Sequence, residues 1–174
     1  MLRDSLTSAA QKRRIRDAAP SDVEAIRSIL NEAVEDHVAT LDVEAKTADE
    51  MRRWYAEHNE RYAILVALED NTVVGWAALN RYSHRCAYDL VADLSIYVRR
   101  DKRGTGVGSE LLGELERVGL AKGFHKIVLF SFTSNEAGRR LYLKRGLVDV
   151  GTFREQGVLD GKYIDVIAME KILR

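Results

Sequence analysis

The chain reads as one mixed α/β domain, and three observations carry that reading. Apolar runs of period two and of period near 3.6 follow one another in the order β-α-α-β-β-β-α-β-α-β-β. A strand that alternates Leu94, Ile96 and Val98 with Asp93, Ser95 and Tyr97 lies at its centre. A glycine-rich turn, Arg103-Gly104-Thr105-Gly106-Val107-Gly108-Ser109, joins that strand to a helix with Leu111, Leu112, Leu115 and Val118 at helical spacing. The length, 174 residues, suits a single domain with a core of ordinary size.

In chain order, residues 1–14 are polar and unpatterned and end in Lys12-Arg13-Arg14, so they are expected to form a flexible N-terminal tail ahead of a domain spanning 15–174. Ile15 to Ala18 predicts a first strand. Ser21-Asp22-Val23-Glu24 reads as a capping box, opening a helix with Val23, Ile26, Ile29, Leu30, Ala33 and Val34 on one face. Residues 38–46 are a loop. Thr47-Ala48-Asp49-Glu50 is a second capping box, before a helix carrying Met51, Trp54, Tyr55 and His58 along one side, as core or as a cleft wall. Tyr62 to Leu68 and Val73 to Asn80 predict a hairpin across Glu69-Asp70-Asn71-Thr72. After a polar, aromatic connection (81–90) come the central strand, the glycine turn and the central helix, which Gly123 caps. His125 to Ser131 is a buried strand. Thr133-Ser134-Asn135 starts a helix containing Leu141 and Tyr142 that ends at Gly146. Leu147 to Arg154 and Tyr163 to Lys171 are strands joined through Leu159-Asp160-Gly161.

Composition excludes several classes. Lysine plus arginine and aspartate plus glutamate both number 27, so the net charge is zero and a broad nucleic-acid surface is not expected. A single cysteine, Cys86, cannot form an intramolecular disulfide and fits a reducing compartment. No apolar run approaches the ~20 residues of a membrane span, and no signal-peptide segment is visible. A cytoplasmic protein is expected. The four histidines have no metal-ligand spacing, so no metal site is expected.

The glycine-rich turn carries the chemistry. No lysine follows Gly108, as a P-loop requires, and the G-x-G-x-G pattern falls mid-chain rather than after an early strand, as a dinucleotide fold requires. Three glycines at spacing two beside an arginine exceed the needs of a plain turn. Free backbone N–H groups at a helix N-terminus suit an anion such as a pyrophosphate. Asp93, on the polar face of the central strand, is the candidate general base, acting through a water or only orienting an ammonium or a water. A strand-end acid paired with an arginine is the competing reading. Tyr142, a phenol with an ordinary pKa of ~10, is the candidate general acid. A packed aromatic is its alternative. A backbone N–H near Ile96, freed by a bulge, is the expected oxyanion donor. Arg81 and Arg85 suit an anionic group on a substrate; Arg81 reads better as a solvated loop charge, and Arg85 is taken as the substrate contact.

Arg103-Gly104-Thr105-Gly106-Val107-Gly108 after Ile96-Tyr97-Val98 resembles the Q/R-x-x-G-x-G/A signature of the GNAT acetyltransferases. Asn135 and Leu141-Tyr142-x-x-x-Gly146 resemble that superfamily's second motif, and the likeness runs from Ile15 to Leu173. The resemblance implies the GNAT fold, a mixed, mostly antiparallel sheet flanked by helices, with acetyl-CoA as co-substrate. Ile96, Tyr97 and Val98 would then line the pantetheine arm, with Ile96 and Val98 binding through backbone groups. Arg103, Gly104, Thr105, Gly106, Val107, Gly108 and Ser109 would cradle the pyrophosphate, and Asn135 would contact the cofactor arm. Arg85-x-Ala87-Tyr88-Asp89, Asp93, Val158-Leu159-Asp160-Gly161-Lys162-Tyr163-x-Asp165 and the Asn31 helix with its Thr40 loop resemble the phosphinothricin N-acetyltransferase branch. That branch implies a homodimer acetylating the free amine of a small amino acid or analogue such as phosphinothricin or methionine sulfoximine. The chain departs from the branch at Leu41, Leu147 and Ser131-Phe132-Thr133. The alternatives are a GNAT enzyme for a protein N-terminus or an aminoglycoside, and a non-catalytic acetyl-CoA sensor.

Overall fold

The computed structural model describes residues 13–58 and 60–174. Among these residues seven strands form one sheet in the order β1-β2-β3-β4-β5-β7-β6. They are β1 (Arg14–Asp17), β2 (Ile64–Glu69), β3 (Thr72–Arg81), β4 (Val91–Val98), β5 (Lys126–Phe132), β6 (Val148–Leu159) and β7 (Lys162–Ile172). Four helices flank it: α1 (Val23–Asp36), α2 (Ala48–Glu57), α3 (Val107–Ala121) and α4 (Glu136–Lys144). Only β4 and β5 are parallel; every other neighbouring pair is antiparallel. No helix among the described residues is long and apolar enough to cross a membrane.

The alternation in β4 sorts the core into two layers. Ala92 and Leu94, with Ile96 and Val98 beside them, pack with α3 residues Leu111, Leu112 and Leu115 and with Tyr142 of α4. On the other face, Tyr97 joins Trp76 and Ala78 of β3, Ile26 and Leu30 of α1 and Met51 of α2. The helices therefore cover both faces of a sheet whose central strands are apolar on each side.

Two local expectations change. The second capping box forms as read: Glu50 N donates to Thr47 Oγ1 and Thr47 N to Glu50 Oε2. The first does not form around Ser21. A short 3-10 turn, Pro20–Asp22, leads into α1, and Asp22 carries the work instead. Its carboxylate accepts from Ala19 N at 2.7 Å and pairs with Arg16. That pairing holds its pKa below the usual carboxylate range, by the hydrogen bond from Arg16 above all. Arg14 belongs to β1, and Arg13 pairs with Glu69 and Glu110, so both of these residues of the expected tail are placed. The remainder of the tail expectation, residues 1–12, lies outside the described residues.

Gly75 on β3 fixes how closely α3 approaches the sheet. A Cβ there would stand 2.8 Å from Val107 Cγ1 and 3.1 Å from both Leu111 Cδ1 and Tyr97 O. These neighbours are the first turns of α3 and the backbone of β4, neither of which can yield cheaply. Gly75→Val is expected to lower stability by about 1–3 kcal/mol through overpacking, read as a lower midpoint in urea unfolding with an unchanged slope.

Candidate active site

The glycine-rich turn is held from behind by a charged network. Glu69, 7% exposed, pairs with Arg13 at 2.7 Å and with Lys102. Arg13 also reaches Glu110 in the first turn of α3 and Thr105 Oγ1, and Thr105 Oγ1 donates to Lys102 O at 2.7 Å. From the front, the last turn of α1 holds the same segment. Asp36 pairs with Arg100 and with Arg103, and these two guanidinium groups keep its carboxyl below the ordinary range. Inside this frame Gly106 takes φ +94° as the residue before α3, a conformation that costs an L-side chain roughly 1–2 kcal/mol. The first N–H groups of a 15-residue helix then face outward.

Beside the turn lies a groove of about 320 Å³. Ile96, Tyr97, Val98, Arg103, Gly104, Gly106, Gly108, Ser109, Asn135 and Tyr142 all line it, together with Ala137 and Leu141 of α4. Two signature residues do not. Val107 turns its side chain into the core, and Thr105 is tied to Arg13 and Lys102; at both positions the backbone alone is left to meet a ligand. Asn135 is 6% exposed and caps α4, Oδ1 accepting from Gly138 N and Nδ2 donating to Ser131 Oγ.

The groove exists because β4 and β5 pair only over Val91–Asp93 and Lys126–Val128. Beyond that point β5 continues along β7 to Phe132, and the far half of β4 loses its neighbour. Arg99 N donates to Val74 O, so by antiparallel alternation Tyr97, Ser95 and Asp93 bond to β3 while Ile96 and Val98 aim their backbone groups into the gap. The register of β3 on β4 runs without a shift from Gly75↔Val98 to Arg81↔Ala92. The expected bulge is therefore absent, and divergence of two parallel strands frees the Ile96 N–H instead.

A second cavity, also about 320 Å³, opens on the other face of the sheet. Trp54, Trp76 and Tyr97 form its aromatic wall, with Trp76 5.4 Å from Trp54 and 4.9 Å from Tyr97 between ring centroids. Asp42, Lys46 and Glu50 supply its charges, and Ser95 lies at its floor. Lys46 pairs with Asp42 at 2.7 Å, which raises its pKa, and Asn31 clamps the loop by bonding both Lys46 N and Lys46 O. Tyr97 belongs to both cavities. Burial pushes its phenol up to about 12, opposed by a hydrogen bond with Thr40.

Asp93 lies one alternation behind Ser95, opposite Asn80 of β3. Burial pushes its carboxyl up to about 6, and a hydrogen bond with the Asn80 side chain opposes that rise. Tyr142 is likewise pushed up by burial, then by Tyr97, and stays a protonated phenol. Arg85 does not join either wall: it is exposed on the connection between β3 and β4, where its backbone N bonds Ser83 Oγ. The cation of the second cavity is Lys46. Sequence reasoning missed Asp42, Lys46, Glu50, Trp76 and Ser95. Their one signal was the aromatic stripe of the second helix; Glu50 was legible only as a capping residue. Among the described residues no group of three or more His, Cys, Asp or Glu side chains converges on a possible metal position.

A groove at a strand–glycine turn–helix junction thus lies on one side of Tyr97 and a compact aromatic cavity on the other. The family model described as acetyltransferase (GNAT) family matches residues 24–147: the chain belongs to the GNAT family and is an N-acetyltransferase of that fold. It is 30% identical over 152 residues to a phosphinothricin N-acetyltransferase of Streptomyces viridochromogenes, covering 87% of this chain and 83% of that one. To an L-methionine sulfoximine/L-methionine sulfone acetyltransferase of Pseudomonas aeruginosa it is 28% identical over 158 residues, 90% of this chain and 92% of the other. Among solved structures, a GNAT superfamily phosphinothricin acetyltransferase from Sinorhizobium meliloti in complex with AcCoA superposes with a TM-score of 0.88 at 28% identity, over 92% of this chain and 88% of that one.

The raised Asp93 has a thermodynamic sign. Between its unfolded pKa near 3.9 and its folded value of about 6 the native state binds the extra proton. Stability therefore falls as pH rises through that window, and the full cost stands above it. Asp93→Asn is expected to be more stable than the native chain at pH 8 by roughly 2 kcal/mol, and no more stable near pH 4. Denaturant melts at the two pH values read the difference; equal gains at both would contradict it.

Proposed function

We propose that this enzyme moves the acetyl group of acetyl-CoA to the free amine of a small amino acid or amino-acid analogue of the phosphinothricin or methionine sulfoximine type, by direct transfer in a ternary complex. The single observation that carries the reading is Tyr97, the common wall of a nucleotide-type groove and a compact aromatic cavity. The activities named for the Streptomyces and Pseudomonas relatives support the acceptor class.

The groove fits acetyl-CoA. Arg103 and the backbone from Gly104 to Ser109 suit its pyrophosphate, the free edge of Ile96 and Val98 suits an amide-bearing pantetheine arm, and Asn135 keeps a second amide N–H for the same arm. When bound, acetyl-CoA supplies an acyl thioester, and the Ile96 N–H, released by the strand divergence, stabilises negative charge on the acyl oxygen. In the second cavity Lys46 suits the carboxylate or phosphinate of the acceptor, and the Trp54–Trp76–Tyr97 wall suits its carbon chain. An ammonium of pKa near 10 must shed a proton before it attacks. Asp93 Oδ receives that proton through a water; a carboxyl near 6 is a better base than an ordinary one, yet still ionised at neutral pH. Tyr142 Oη holds the proton that a departing thiolate takes up.

The protein acts as a homodimer in the cytoplasm on this reading. Its support is β6, a sheet-edge strand with Val148, Val150, Phe153 and Val158 exposed, since a long apolar edge needs a cover.

Thiol release from acetyl-CoA tests the reading across phosphinothricin, methionine sulfoximine, methionine sulfone, ordinary amino acids, a peptide and an aminoglycoside. Saturable turnover with the first three is expected; turnover only with peptide or aminoglycoside would remove the acceptor class. Wild-type kcat/KM should fall as pH drops through about 6, where Asp93 takes up its proton. Tyr142→Phe should lower kcat by roughly 10²-fold with little change in KM for acetyl-CoA, and an unchanged kcat would remove Tyr142 as the acid.

A further inference from the structure

One buried donor beside the aromatic cavity is left over by the reaction as derived. Trp76 of β3 is 2% exposed, yet among the described residues its indole Nε1 has no hydrogen-bond partner. Two other buried side-chain atoms share that condition, Glu116 Oε1 and Arg145 Nε. Those two belong to one ion pair, which closes at 2.8 Å through their other atoms. Trp76 has no such relief. A donor taken out of water and given no acceptor is a standing cost to the fold.

The packing does not account for an indole there. Register sets Trp76 opposite Tyr97 on one side and Val66 on the other. Its ring lies 4.9 Å from that of Tyr97 and 5.4 Å from that of Trp54, and Ile26, Leu30 and Met51 belong to the same apolar cluster. A phenylalanine would suit such a wall with no donor to satisfy, whereas a buried Trp N–H ordinarily finds a partner. The space beside this ring that the protein does not fill is the cavity of about 320 Å³ that Trp76 lines with Lys46, Ser95 and Tyr97. An acceptor for the N–H therefore has to come from what enters that cavity.

We propose that Trp76 is a specificity-determining residue of the acetyl transfer: its indole N–H donates to an oxygen on the side chain of the acceptor. It thereby favours amino acids whose side chain carries an oxidised sulfur or phosphorus over those with a thioether or a plain hydrocarbon. The proposal rests on the preceding reading of this cavity as the acceptor site. On that reading Lys46 takes the carboxylate and Asp93 the proton of the amine, which leaves Trp76 as the uncharged donor for the far end. Sulfone, sulfoximine and phosphinate oxygens are strong acceptors; a thioether sulfur is a weak one, and a methylene is none. Because the N–H is sealed from bulk solvent, a small tilt of the ring toward the cavity presents it to the ligand with no water competing for it.

Two measurements test it. The chain has two tryptophans, so its ¹H–¹⁵N spectrum holds two indole signals, which Trp54→Phe assigns. Methionine sulfone added to the full-length wild type should move the Trp76 indole proton downfield, the mark of a new hydrogen bond. Methionine, which lacks only the two sulfone oxygens, should not. In parallel, kcat/KM for methionine sulfone is divided by kcat/KM for methionine at saturating acetyl-CoA. Trp76→Phe keeps a ring in the wall and removes the N–H. The ratio should then fall by roughly 10-fold to 100-fold, the effect of one buried hydrogen bond. Both terms come from one preparation, so any loss of folded enzyme cancels. A Trp76 signal that responds alike to the two amines, or stays still with both, would overturn the proposal, as would a Trp76→Phe ratio equal to that of the wild type. Absence of turnover with every amine is the failure of the acetyl-transfer reading; turnover with an unchanged ratio is the failure of this one.

Discussion

β4 and β5 run side by side for three residue pairs and then separate, and nearly every functional feature of the molecule follows from that separation. A parallel pair that stayed together would bury the Ile96 and Val98 backbone groups in ladder bonds. Here β5 keeps its full pairing with β7, so the sheet as a whole loses little. The unpaired edge of β4 is left with strong donors and acceptors that have to find partners elsewhere. Part of the requirement is met within the chain, since Arg103 Nε donates to Val98 O at 3.1 Å. The remainder is available to a ligand, which is what a groove with amide-seeking walls needs.

The divergence alone would make a gap, not a site. The glycine turn has to be carried at the right height above it, and ion pairs do this from both sides. Glu69 sits nearly buried between Arg13 and Lys102, while Asp36 sits between Arg100 and Arg103. Isolated exposed pairs contribute little to stability. Networks that converge on one carboxylate act mainly on geometry: they restrict where the loop can go, and removing one partner strands the others. Asp36 is also the last residue of α1, whose Leu30 lines the aromatic cavity. The groove and the aromatic cavity are therefore braced by one helix.

Burial sets the acid–base chemistry. Asp93, Tyr97 and Tyr142 are all pushed toward their protonated forms by loss of water. The effect makes a carboxylate more basic and keeps two phenols neutral. The same burial opposes folding at neutral pH, because an ionised Asp93 is less well solvated in the native state than in the unfolded chain. With Asp93 as the proposed base, activity and stability pull in opposite directions at this one residue.

Much of this was legible in the order of the residues. Period-two and period-3.6 runs located the strands and helices within a few positions, because side chains on a pleat and on a helix must meet the core at those spacings. The turn from Arg103 to Ser109 was legible as a tight strand-to-helix junction, and Gly104 and Gly106 do take positive φ there. Asp93 and Tyr142 could be named as candidates because their chemistry belongs to the residue type; what the structure adds is that burial holds both toward their protonated forms. Tertiary structure decided the rest. The box read at Ser21 does not form because a 3-10 turn precedes α1 and the Asp22 carboxylate turns back to Ala19 N and to Arg16 of β1. Arg85 stayed in solvent and Lys46 took the cavity, because the 38–46 loop is folded back by Asn31. The bulge expected near Ile96 gave way to strand divergence, a relation between β4, β5 and β7 that no single segment encodes. Local periodicity reports which face a residue takes, whereas distance across the sheet depends on chain segments far apart in sequence. The meeting of two cavities at Tyr97 is a fact of the second kind.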